Sequence, residues 1–295
     1  MASFDNKKQL RITITLGTGS FGASKGNVIT LEGFRAAVEI EVAGLQQKGT
    51  LRAQIYGVAQ SDMNQITTLQ WKPGTIIGSN QVDVYAIDGA QETLVFSGNI
   101  VNAWANYNSM PDVFLMIQAQ TSYHAALTPV SPRSYKGSID VASVMGQIVQ
   151  GMGFTFENNG VTTQLASVYL PGTGWDQALS IAQQAGIDLY QDNKVIAITP
   201  ANTPRGSIIP ELSPGSGNVG YPTFDGVGVN FETLFNPAIR PGGAIKLVTS
   251  VKAINDISTQ WLVTSLSHKL ESEKPGGAWF TTVRGNLNGK LTAGQ

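Results

Sequence analysis

Two hydrophobic periods share this sequence, and the order in which they occur constrains the fold more than any motif does. Over residues 10–120 apolar side chains recur at every second position: Leu10, Ile12, Ile14 and Leu16; Phe34, Ala36, Val38, Ile40 and Val42; Leu51, Ala53 and Ile55; Val82, Val84 and Ala86. Neighbouring side chains on a strand point to opposite faces, so this period buries one face of a sheet. Further strands are expected at 94–96, 100–104 and 114–119, with Gly and Asn between segments, the pattern of a barrel or sandwich. One short helix is expected over 61–69, with Ser61 or Asp62 as its cap.

After the proline pair Pro129 and Pro132 the period becomes helical. Val141, Val144, Met145, Ile148, Val149 and Met152 fall three or four residues apart, on one helix face. Ser138 is the expected cap and Gly151 or Gly153 the stop. A second helix is expected from Trp175 to Ala185, opened by a capping box of Thr173 and Asp176 and ended by Gly186. A hairpin around Asp192 and Asn193 follows. The two helices belong to a weak repeat: 148–156 aligns with 181–189 as helix, glycine, then alternating strand. Two copies are too few for a solenoid and fit a small α+β module. Pro200 and Pro204 close it, and 213–217 leads into the final β region. The expected organisation is a first β-barrel domain over 1–128, an inserted α+β module over 129–205, with its helical core in 134–200, and a second β-barrel over 206–295.

Charged residues make up only 13% of the 295, against roughly 25% in ordinary soluble domains. Two readings account for this. One is a subunit whose surface is largely buried in an assembly, since interface cores are depleted of charge; the other is a neutral-polar β monomer. The formal net charge is −1 and there is no Lys/Arg block, so tight nucleic-acid binding has no electrostatic footprint. Without cysteine there is neither a disulfide framework nor a thiolate metal site. The first eight residues lack the apolar core of a signal peptide. No apolar run approaches the roughly 18–20 residues of a membrane helix. A chain that stays in the cytoplasm until assembled is expected.

The last third is the most distinctive text. Asn236, Pro237, Arg240, Pro241 and Gly242 form a turn in which two prolines fix the backbone and a glycine permits positive φ. A strand follows from Ile245, a second over 261–270 ending Ser-His-Lys-Leu, and a third beginning Trp279-Phe280-Thr281-Thr282. This series resembles the C-terminal barrel of bacteriophage baseplate hub proteins, the family that includes the tail-protein-D type. Phe96-Ser97-Gly98-Asn99-Ile100 is similar to a strand of that family's first barrel. The resemblance covers most of the chain in layout and is specific at 234–283. It implies a structural protein without cofactor or metal: a homotrimer whose two similar barrels per subunit make a ring of six. Such a ring joins a six-fold tail tube or distal tail protein above to a three-fold spike or needle below. It touches other baseplate proteins and lets DNA pass without specific binding, in the virion tail. Within that reading the turn, with Arg240 held between two prolines, is the candidate structural or interface element, against the alternative of an ordinary exposed arginine on a loop.

Two other function classes stand as alternatives: a tail-associated cell-wall hydrolase and a carbohydrate-binding β module. Gly17-Thr18-Gly19-Ser20-Phe21-Gly22 matches the glycine loop of protein kinases. The companion motifs are missing: Ser24 stands where valine belongs, Lys25 lies too close, and His124 and His268 are followed by Ala125 and Lys269. A flexible hairpin loop without nucleotide is expected. A hydrolase needs two converging carboxylates; Glu271 and Glu273, two apart, are the nearest suggestion, and they flank a Gly-rich loop that accounts for them better as solvated loop residues. Trp104 and Tyr107 are candidate sugar platforms, with core packing as the alternative. His268 is expected on a strand face beside Lys269.

Overall fold

The computed structural model describes residues 8–22, 26–67, 79–108, 110–252, 254 and 260–287. The first β region comprises β1 (Lys8–Thr15), β2 (Val28–Glu32), β3 (Ala36–Ala43), β4 (Thr50–Tyr56), a short helix α1 (Gln60–Ile66), β5 (Gln81–Asp88), β6 (Gln91–Asn106) and β7 (Phe114–Gln120). The module follows as α2 (Tyr123–Leu127), β8 (Arg133–Ser134), β9 (Ser138–Asp140), α3 (Val141–Gly151), β10 (Thr155–Asn158), β11 (Gln164–Ala166), β12 (Tyr169–Leu170), α4 (Gly174–Ala185), β13 (Ile187–Asp192) and β14 (Val195–Pro200). The second β region holds β15 (Glu211–Leu212), β16 (Asn218–Phe224), β17 (Gly228–Leu234), β18 (Ala244–Leu247), β19 (Gln260–Ser272) and β20 (Trp279–Leu287).

The β regions form one thirteen-stranded sheet, ordered β2-β1-β5-β6-β7-β4-β3-β19-β20-β17-β16, with β18 on β19 and β15 on β18. Pairing is antiparallel except between β15 and β18. The expected mainly β architecture with a small α+β insertion is present, but the two closed barrels are corrected. Among the described residues no ladder closes either region, and the two share a sheet. The reason is the length of β19, thirteen residues. Its first part pairs with β18 and places Trp261 and Val263 in the second core. Its later part pairs with β3, from Ser265 opposite Ala43 to Ser272 opposite Ala36, and sends Leu270 into the first core. The first region still curls: Leu10 and Ile12 of β1 share a core with Leu270 and Trp279, and Gln9 Nε2 donates to Glu273 Oε1 at 3.1 Å.

Period-two burial drives the first region. Ile12, Ile14, Ile40, Ile55 and Val84 are all buried, each worth roughly 1.5–3 kcal/mol relative to exposure. The helix α1 has Ala59 at its N-cap with no side-chain cap, so neither Ser61 nor Asp62 serves; residues 68 and 69 of the expected helix lie outside the described residues, as do residues 1–7, Ser24 and Lys25.

The module has its own core, in which Val144, Ile148, Ala178 and Ile181 of α3 and α4 pack on Leu189, Ile196 and Ile198. Asp140, not Ser138, caps α3: its carboxylate accepts from Ser143 N at 2.9 Å. Ser138 is held in β9, paired with β11, and that extended backbone runs on to Asp140. The Thr173–Asp176 capping box and the left-handed Gly186 bound α4 as expected. Both repeat units end in strands that flank β14, β10 parallel and β13 antiparallel.

Candidate functional site

The turn after β17 enters both β cores and abuts the module at Tyr190. Phe235 enters the first core and its N–H donates to Trp279 O at 2.9 Å. Asn236 Oδ1 accepts from Ala238 N at 3.0 Å, closing an Asx turn. Ile239 enters the second core. Pro237 is exposed, and Pro241 and Gly242 are buried. Gly242 takes φ 76°, and a Cβ there would sit 2.7 Å from the Tyr190 ring of the module, so only glycine satisfies both backbone and space. Its N–H donates to Val263 O at 2.9 Å, and its carbonyl accepts from Arg205 N at 2.6 Å.

Arg240 projects from this platform with a side chain 62% exposed, its Nε 4.0 Å from Asp192 Oδ2. The buried guanidinium nearby belongs to Arg205, 4% exposed, which sequence reasoning passed over as linker. Its Nε and Nη2 donate to Glu157 Oε1 and Oε2 at 3.0 and 2.8 Å, and Nη1 donates to Asp192 Oδ2 at 2.9 Å. The Arg205 hydrogen bonds hold the Glu157 carboxyl below its usual range. Burial pulls the Arg205 pKa down, and the two carboxylates more than offset it. The acids come from β10 and the β13 end, 48 and 13 residues away in sequence, so no local spacing announces them.

The β13–β14 hairpin is also tied to the first β region. Gln46 N donates to Leu189 O at 3.0 Å, Gln191 Nε2 to Ser122 Oγ at 2.5 Å, and Lys194 Nζ pairs with Asp83 Oδ2 at 3.0 Å. A cavity of about 220 Å³ lies at this meeting point, lined by Gln191, Phe235, Pro237, Arg240 and His268 among others. His268 sits opposite Ile40 and Thr281, with Nδ1 2.9 Å from Thr281 Oγ1 and its ring edge-on to Phe235 at 5.3 Å. Burial pushes its pKa down to about 4. It is a neutral core histidine between the two β regions rather than one on an open strand face.

The remaining sequence candidates do not converge. Glu271 accepts from Ala278 N at 2.9 Å and pairs with Lys274, closing the β19–β20 loop. Glu273, past the end of β19, accepts from Gln9. Trp104 is half-buried and Tyr107 exposed. The Gly17–22 loop joins β1 to β2, with Leu16 N donating to Asn27 O at 2.8 Å and Phe21 buried; it is a hairpin connection. Among the described residues no group of three or more His, Asp or Glu could hold a metal, and no helix is long and apolar enough to cross a membrane.

Solved structures with this fold include tail proteins and a secretion-system protein. A tail protein from Neisseria meningitidis MC58 superposes with TM-score 0.58 at 9% identity, covering 95% of this chain and 97% of that one. The 43 kDa tail protein of prophage MuSo2 from Shewanella oneidensis gives 0.57 at 9% identity, covering 94% and 97%. The E. coli c3393 protein, a type VI secretion component described as structurally similar to T4 tail proteins gp27 and gp5, gives 0.56 at 12% identity, covering 85% and 73%. No curated protein matches the sequence. The family model for baseplate hub gp41 matches residues 9–283. Because that match runs through both β regions, the module and the turn, the chain belongs to the baseplate hub gp41 family and is a structural component of the phage tail baseplate.

Proposed function

We propose that three copies of this chain close a ring that adapts a six-fold tail tube to a three-fold spike. The observation that carries the reading is the single sheet built from two β regions on either side of an inserted module. Two tube-like β bodies per chain, over 1–128 and 206–295, present six around a three-fold axis. Heterologous contacts with closed cyclic symmetry are the physical route to such a ring. The low charge fits a subunit largely covered by neighbours. The same near-neutral composition suits a DNA conduit, since a lumen rich in Lys and Arg would hold phosphates. The c3393 protein's stated likeness to gp27 and gp5 supports placing tube or distal tail protein on one side and spike or needle on the other. In this reading the module over 129–205 is peripheral. The turn of Asn236, Pro237, Arg240, Pro241 and Gly242 is an interface element. Light scattering of the purified chain, alone and with its neighbouring tail proteins, tests it. A trimer mass in the mixture is expected, and a stable dimer or hexamer contradicts the reading.

A further inference from the structure

We propose that the cavity beside Arg240 binds an extended segment of a neighbouring baseplate protein, taking one large apolar side chain and one carboxylate. This rests on reading the turn as an interface and names what the turn meets. The cavity, about 320 Å³, is lined by the small residues Ala238, Gly243 and Ala244, so little side-chain volume fills it. That size lies in the range of roughly 300–1,000 Å³ typical of binding clefts. Ile208 also lines it, 77% exposed and equal with Tyr221 as the most water-accessible large apolar residue among the described residues. An apolar anchor entering such a pocket is how interfaces concentrate their energy.

Charge selects the second element. Arg205 and Glu157 line the same cavity but satisfy each other through a two-point contact. Arg240 has no such match. Its guanidinium is largely exposed, it makes no hydrogen bond among the described residues, and the Asp192 oxygen 4.0 Å away already accepts from Arg205 at 2.9 Å. A planar guanidinium fork on a proline-fixed turn fits an incoming carboxylate. A phosphate chain is the poorer match, since Arg240 shares its surroundings with Asp192 and Glu157 on a chain of net charge −1 and would release few counterions. In an extended segment residues two apart share a face, so Phe-x-Asp presents both groups together.

The probe is the blocked tripeptide acetyl-Phe-Gly-Asp-amide, with Asn in place of Asp as its control, titrated into the full-length chain by amide NMR. Saturable shifts at Ala238, Arg240, Gly243 and Ala244 are expected. The Asn peptide should bind at least about tenfold more weakly, corresponding to ~1.4 kcal/mol. Arg240→Gln should abolish the difference between the two peptides, and Ile208→Ser should weaken both. Equal binding of the peptides to the unaltered chain, shifts confined to other surfaces, or no shifts up to about 10 mM (~2.7 kcal/mol of binding) would each overturn the proposal. Because the titration uses the free chain, its failure leaves the ring reading to its own test, and failure of ring formation leaves the peptide result standing.

Discussion

The two β regions are joined by a continuous backbone ladder; the module is joined to them by scattered single contacts. Between the β regions runs an eight-residue antiparallel ladder from β3 to β19. The module is fixed by single backbone contacts, Arg205 N to Gly242 O and Gln46 N to Leu189 O, by the Lys194–Asp83 pair and by Gln191 on Ser122, while the Arg205 guanidinium pins the exit linker to the module's own Glu157 and Asp192. Backbone ladders are cooperative and tolerant of side-chain change, whereas a buried polar junction depends on every member being present. The two joins should therefore fail differently, and four substitutions separate them.

Arg205→Ala should have the largest effect on the module. Removing the cation leaves Glu157 with Asn159 alone and Asp192 with the more distant Arg240, at about 3 kcal/mol. Denaturant unfolding should show the loss, and hydrogen exchange should rise at Gly242 and along β13 while the β3–β19 amides stay protected. Equal deprotection of that ladder would erase the distinction between the two joins.

Leu270→Ala acts on the shared strand and should cost about 2–5 kcal/mol. Here both β regions should lose stability together, in one transition. Separate transitions for the two regions would mean that the shared strand does not couple them.

His268 sharpens the comparison through pH. Its pKa falls from 6.5 to about 4 on folding, so the unfolded chain binds the extra proton between those values. Its contribution is complete above about pH 6.5 and is lost as pH falls toward 4, up to roughly 3 kcal/mol. Glu157, whose pKa is lowered, acts in a lower window, beginning near its unfolded value of 4.5. His268→Asn keeps a hydrogen-bonding atom near Nδ1 and cannot titrate. It should flatten the stability curve between pH 6.5 and 4, and an unchanged slope would assign the acid sensitivity elsewhere.

Arg240→Ala should have the smallest effect on the isolated chain, about 0–1 kcal/mol, as for an exposed pair. A melting shift as large as that of Arg205→Ala would make Arg240 part of the module junction instead of a surface group.

Much of the sheet was legible because alternation of apolar and polar residues encodes which face is buried. Where alternation breaks, legibility ends. The sequence suggests two segments at 94–96 and 100–104, but β6 runs unbroken through Ser97-Gly98-Asn99. Gly98 is required there by close strand approach, since a Cβ would lie 2.8 Å from Gln120 O. The strands β16 and β17 escaped notice because their pairing shifts register between Val219 and Thr223 and β16 is largely exposed. The helices were legible through capping chemistry, correct in α4 and displaced by two residues in α3. The turn could be read as rigid from its prolines, but not as the place where both β cores and Tyr190 of the module meet. Nor could Arg205 be read, since its partners gather only when β10, β13 and the linker fold together.

In the proposed ring one chain supplies two β bodies to a six-membered layer. A reconstruction of the intact baseplate counts the copies directly. The account predicts three copies around the tail axis, each giving both β regions to a single ring between tube and spike. Six copies, or two, in that layer would contradict it.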